Sequence, residues 1–141
     1  MDTAHTLVVP ASADGLRQAE EGLDDFSAAH GLTRNDTWPF HVAIDEILSN
    51  IVKYGLAGER ARSEVQIFLL LEEDSLEMVI LDDAEAFNPL EAERPDTDLA
   101  AEDREIGGLG IEIVRRLMDA IEYERLDDRH NRLTLRRRLG L

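Results

Sequence analysis

The chain contains no cysteine, so disulfides, thiolate metal sites and a cysteine nucleophile are all excluded. Basic residues are scarce. Only 15 Lys plus Arg stand against 31 Asp plus Glu, a formal net charge of −16. Such a surface repels a polyphosphate backbone, which argues against direct nucleic-acid binding. A phosphate ligand would have to be held by a cation or by oriented backbone amides. Long apolar runs are missing too. The longest, Ile67 to Leu71, is far too short to span a bilayer, and the N-terminus MDTAH carries an acid and no apolar segment of the signal-peptide kind. These absences lead to the expectation of a soluble, cytoplasmic protein without a membrane partner. There is no GxxxxGK[ST] loop and no HRD or DFG signature, and His5, His30, His41 and His130 form no metal-ligand spacing.

What is present is periodic. With 141 residues and a hydrophobic fraction of 43%, the chain is long enough for one domain, 1–141, with a real core. Its centre is the stretch FHVAIDEILSNIVKYG, Phe40 to Gly55, where Ile44, Ile47, Leu48, Ile51 and Val52 recur at the three- and four-residue steps of an amphipathic helix. Glu46 and Asn50 lie one turn apart at the edge of that stripe, with Ala43 leaving the adjoining surface free of bulk. A carboxylate beside a neutral amide suits a hydrated magnesium ion and its substrate, because magnesium takes few protein oxygens and keeps several waters. An exposed polar pair on an ordinary helix gives the same pattern.

The rest of the chain reads as β-α-α-β-β-loop-α-β-β. Thr6 to Val9 is a short strand stopped by Pro10. A helix follows from Ala13 to about Ala29, capped by Ser12 and ended by Gly31, with Leu16, Ala19, Leu23 and Phe26 on one face. Asn35 or Asp36 is expected to cap the central helix, Pro39 to sit in its first turn, and Gly55 and Gly58 to close it. Val65 to Leu71 is apolar enough for burial on both faces. In the returning strand, Leu76, Met78, Ile80 and Asp82 share one face. Asp82 therefore points with the core and needs a hydrogen-bond donor, whether as a helix cap, a salt bridge to arginine or a ligand contact.

Asn88 to Ile106 is aperiodic and holds seven acids, two arginines, Pro89 and Pro95, the composition of a functional lid or of disorder. Gly108 and Gly110 then precede a helix carrying Ile113, Val114, Leu117 and Met118, where free N–H groups and the helix dipole suit phosphate. A hinge or a plain cap would use the same glycines. A dinucleotide-binding loop fits poorly, because an acidic loop rather than a strand comes before them. Ile121 to Leu126 and Arg132 to Leu139 form a final pair of strands. The order implies an α+β fold: a two-layer α/β sandwich with helices on one face of a mixed sheet. Arg129, Arg132, Arg136, Arg137 and Arg138 form a basic cluster that could dock an acidic partner or simply be a solvated strand face.

Three segments in this order, EILSN, LDDAEAFNP and IGGLGIEIVRRLMD, the last followed by IEYER, resemble the GHKL (histidine-kinase-like) ATPase superfamily. The likeness is strongest to its anti-sigma-factor serine/threonine-protein kinases of bacterial partner-switching systems, and it spans nearly the whole chain. It implies a Bergerat-type ATP-binding fold with an ATP lid at about 88–107, ATP and Mg²⁺ as cofactors, an anti-anti-sigma (STAS-type) protein and a sigma factor as partners, and a homodimer formed through the exposed sheet face. Under this resemblance Glu46 is the catalytic general base and Asn50 the magnesium ligand. Asp82 accepts from the adenine amino group, with Ala84 beside it, and Thr134 lies near the adenine ring. Gly107, Gly108, Leu109, Gly110 and Ile111 make the phosphate cradle. The chain departs from the family where Ala84 and Ala86 replace glycines, where Tyr54 replaces a frequent histidine, and where Arg104 lies two residues before the expected lid arginine. The function implied is an ATP-dependent kinase that phosphorylates the anti-anti-sigma partner and holds the sigma factor. The alternative is a non-catalytic nucleotide-binding regulator that switches partners by docking.

Overall fold

The computed structural model describes residues 3–52, 64–84, 88–91, 107–127 and 129–140. Strand β1 (Thr3–Pro10), helices α1 (Ala13–His30) and α2 (Arg34–Asn50), strands β2 (Glu64–Leu71) and β3 (Ser75–Asp82), helix α3 (Gly107–Leu117), and strands β4 (Ala120–Leu126) and β5 (His130–Arg138) follow in that order. Among the described residues a 3-10 turn, Pro89–Glu91, lies between β3 and α3. The element order is the one read from the sequence.

The five strands form one sheet in the order β1-β2-β3-β5-β4. Each pairing is antiparallel, so the expected mixed sheet is not found among the described residues. The reason is topological. β4 runs in the same direction as β3, but β5 folds back between them, so the two like-directed strands never share a ladder.

Burial alternates along the strands. Leu76, Met78 and Ile80 of β3 are fully enclosed, and they join Val65, Ile67 and Leu69 of β2 in the core beneath the helices. The opposite sheet face is bare, with Val8 52% and Phe68 37% exposed. β2 is therefore buried on one face and not on two. Its apolar composition suggested a fully enclosed strand, but the described helices cover only one side of this sheet.

Local chemistry explains the helix limits. Ser12 caps α1 by accepting from the Gly15 N–H at 3.1 Å. Gly31 ends that helix in the left-handed region at φ 69°, where glycine bears no Cβ penalty. α2 begins earlier than expected. Thr33 is its cap: Thr33 Oγ1 accepts from the Asp36 N–H at 3.1 Å, and Asp36 Oδ2 accepts from the Thr33 N–H at 3.0 Å, a reciprocal capping box. Pro39 consequently falls in the second turn, where the buried Pro39 and Phe40 carry the helix past one missing hydrogen bond. Tyr54, Gly55 and Gly58 lie outside the described residues, as do Ala86, Arg104 and most of the expected lid. At the start of that segment, Asn88 Oδ1 accepts from the Leu90 N–H at 2.9 Å, and Leu90 O accepts from Arg115 at 2.9 Å, which ties it to α3. α3 buries Ile111 and Val114, with Met118 just beyond it also buried, while Ile113 is 41% exposed.

Candidate functional site

Glu46 sits on the buried side of α2, 8% exposed, between the buried Ala43, Ile44, Ile47 and Leu48. Its Oε1 is enclosed and has no hydrogen-bond partner among the described residues. Burial, and secondarily the charge of neighbouring Asp45, pushes its carboxyl up from 4.5 to about 7. Its Oε2 faces the first turn of α3 at Gly110, where a Cβ would stand 2.6 Å from that oxygen. A buried carboxylate poised near neutrality, with an oxygen left over, is what a general base requires. Asn50, half-buried, follows one turn later on α2.

Gly107, Gly108, Leu109 and Gly110 form the opening turn of α3, so Gly108 and Gly110, expected directly before the helix, lie inside it, and Ile111 anchors that turn in the core. Glycine's low helix propensity hid this start. The change strengthens the phosphate reading, since the first amides of a helix lack acceptors within it and point along the positive end of the dipole. Contact between Gly110 and Glu46 brings this turn to the carboxylate.

Asp82 ends β3 on the core-facing side, 7% exposed. Its Oδ1 accepts from the Ala84 N–H at 3.0 Å and from Asn131 Nδ2 at 2.9 Å. Desolvation nevertheless keeps its carboxyl above the usual range, outweighing those bonds, with Asp83 adding to the rise and Arg125 opposing it. Ala84, which replaces a family glycine, is not in the left-handed region, because Asp127 is the one non-glycine residue with positive φ among those described. Its carbonyl accepts from Arg125 at 2.9 Å and from Asn131 Nδ2 at 3.2 Å. The turn after Asp82 is thus fixed by side chains of β4 and β5.

Thr134 is not part of this cluster. On β5 the core-facing residues are Asn131, Leu133 and Leu135, so Thr134 points to the opposite face of the sheet, in register with Val79 and Glu122. Asn131, paired across the register with Asp82, occupies the place expected of Thr134. The signal was in the alternation: a polar residue two before Leu133 shares the face of Asp82. Of the basic cluster, Arg132 pairs with Glu124, Arg136 with Glu72 at 3.1 Å and Arg138 with Asp74 at 3.5 Å, the pattern of a solvated strand face.

Among the described residues no three His, Asp or Glu side chains are grouped to hold a metal ion by themselves. That suits a magnesium ion carried by phosphate oxygens and water, to which Asn50 would add one ligand. Glu46, with Oε1 unpartnered and Oε2 beside a turn that a single Cβ would fill, fits such a group. No helix among the described residues is long and apolar enough to cross a membrane.

Comparison with known proteins agrees with this geometry. Residues 9–137 match the family described as the histidine kinase-like ATPase domain. Serine-protein kinase RsbW of Listeria monocytogenes serovar 1/2a is 28% identical over 130 residues, covering 86% of this chain and 82% of its own. Serine-protein kinase RsbW of Listeria innocua serovar 6a is equally similar, at 28% over 130 residues. Among solved structures, the RsbU and RsbW domains of Rv1364c from Mycobacterium tuberculosis share this fold with a TM-score of 0.69 at 15% identity. That match covers 97% of this chain and 32% of the other, so this chain spans about a third of its length. The chain belongs to the histidine kinase-like ATPase domain family.

Proposed function

We propose that the protein is an ATP- and Mg²⁺-dependent serine/threonine-protein kinase acting as an anti-sigma factor, with an anti-anti-sigma protein of the STAS type as substrate. The observation that carries this reading is Glu46, a buried carboxyl raised to about 7, with one oxygen unpartnered and the other against Gly110. Glu46 takes the proton of a substrate seryl or threonyl hydroxyl as that oxygen bonds to the γ-phosphorus, while the bond from phosphorus to the β,γ-bridging oxygen breaks and ADP leaves. The amides opening α3 hold the phosphates and Asp82 holds the base. Magnesium, when bound through Asn50, supplies charge neutralisation that an acidic chain cannot. The exposed sheet face around Val8 and Phe68 is where a second copy would pack in a homodimer, and a sigma factor is held by docking.

The test is radiolabel transfer from ATP to a STAS-type partner, run beside nucleotide titration with and without magnesium. Transfer by wild type, lost in Glu46→Gln while Mg·ATP binding persists, supports the kinase. Binding of ATP with no transfer to any partner replaces it with the non-catalytic regulator.

A further inference from the structure

The Asn131 amide is wedged between two sets of groups that leave it one orientation. Its Oδ1 accepts from the Tyr123 hydroxyl and from Arg125 at 3.2 Å. Its Nδ2 donates to Asp82 Oδ1 at 2.9 Å and to Ala84 O at 3.2 Å. A guanidinium cannot accept and a backbone carbonyl cannot donate, so the oxygen must face Arg125 and the nitrogen must face Ala84. We propose that Tyr123 and Arg125, acting through Asn131, are positioning residues that hold Asp82 as a hydrogen-bond acceptor and so give the site its preference for a 6-amino over a 6-oxo purine. This rests on the reading of Asp82 as the base contact.

The argument concerns which partner carries a proton. Asp82 Oδ1 receives two donors, the Asn131 amide and the Ala84 N–H, so no proton can reside on that oxygen. Burial works the other way and favours the neutral acid. Were the Asn131 amide to swing away, Asp82 Oδ1 would lose one of its two donors, a bond that favours the ionised form, and burial would then favour the neutral acid. With its proton on Oδ2, away from the Ala84 N–H, Asp82 would present a hydroxyl donor. A carboxylate suits the amino group of adenine, whereas a carboxylic acid can donate to the carbonyl that guanine carries there. Tyr123 and Arg125 hold the amide in place from the far side, and Arg125 also braces the Ala84 carbonyl at 2.9 Å.

The experiment titrates ATP and GTP calorimetrically into wild type, Tyr123→Phe, Arg125→Met and the double variant, at about pH 6 and about pH 8, with thermal melts to establish folding. Wild type should favour ATP by about tenfold or more at both pH values. In the double variant the ratio should fall to within about threefold at the lower pH and less far at the higher one, where more of the carboxyl is ionised. A purely structural role would change both affinities together and leave their ratio unmoved. A folded double variant with the wild-type ratio at both pH values overturns the inference. If the double variant does not fold, Tyr123→Phe, which removes only a hydroxyl, decides by the same ratio: a fall supports the inference and no change overturns it. Equal binding of ATP and GTP by wild type would overturn the base-contact reading itself and this inference with it.

Discussion

Glu46 Oε2 occupies the space that a side chain at Gly110 would need: a Cβ there would lie 2.6 Å from the oxygen and 2.9 Å from the carboxyl carbon. The absence of one methyl group lets α2 and the opening turn of α3 touch at the proposed site.

Gly110→Ala should therefore displace the carboxylate without removing it. Phosphoryl transfer is expected to fall by roughly 10²-fold, the lower end of what a misplaced base loses, with about 1–3 kcal/mol of overpacking strain. Radiolabel transfer and thermal unfolding measure the two effects. An alanine variant as active as wild type would mean that Glu46 does no work at that position.

The rate of transfer should rise with pH and reach half its plateau near the Glu46 value of about 7, because the base acts only when ionised. Asp45 contributes to that value through its charge, so Asp45→Asn should move the midpoint to lower pH. A pH–rate profile of the two proteins checks this, and a flat profile from pH 5 to 9 would remove Glu46 from the role.

Stability should respond in the opposite sense. Glu46 titrates at about 7 in the folded chain against 4.5 as a free group, so the fold holds its proton more tightly than the unfolded chain does. The stability this provides is complete below 4.5 and lost as pH rises through about 7. Glu46→Gln should thus unfold at higher denaturant than wild type near pH 8, by about 2–3 kcal/mol, and lose that advantage near pH 4.

Asp36 offers the contrasting case. Burial would raise its carboxyl, but bonds from the Thr33 backbone and side chain and from the Gly140 N–H, with the Arg137 charge, hold it below 3.8. Its stabilisation is present above that value and disappears as pH falls through the folded-state value. Asp36→Ala removes the capping box together with the 3.1 Å bond to Gly140, and about 1–2 kcal/mol should be lost at neutral pH. Denaturant melts of the variant would show it.

Features set by neighbours in the chain were readable from the sequence. Ser12 and Gly31 delimit α1 because a cap and a left-handed residue act within one turn. The Glu46–Asn50 spacing and the inward direction of Asp82 follow from the periods of helix and strand. Thr33 was passed over because Asn35 and Asp36 are equally good caps by type, and only the reciprocal bond between Thr33 and Asp36 settles the start. Asn131 falls just before the strand read as Arg132 to Leu139. Its role depends on the register that sets it opposite Asp82, 49 residues away in sequence, and local pattern does not specify register. The same parity places Thr134 on the far face. The one-sided burial of β2 depends on where the helices pack, which its own composition does not encode.

The insertion of β5 between β3 and β4 fixes an order of events in folding. Glu46 and Asn50 come together as soon as one helix forms, but Asp82 meets its amide partner only after the last strand has threaded between two that preceded it. Contacts of such sequence separation close late, since the loop entropy must be met before they reward it. On the ribosome the proposed phosphate turn can take shape first, while the proposed base contact waits for β5. A nascent or partly unfolded molecule would then meet nucleotides with little discrimination, and selective binding would itself report that folding is complete.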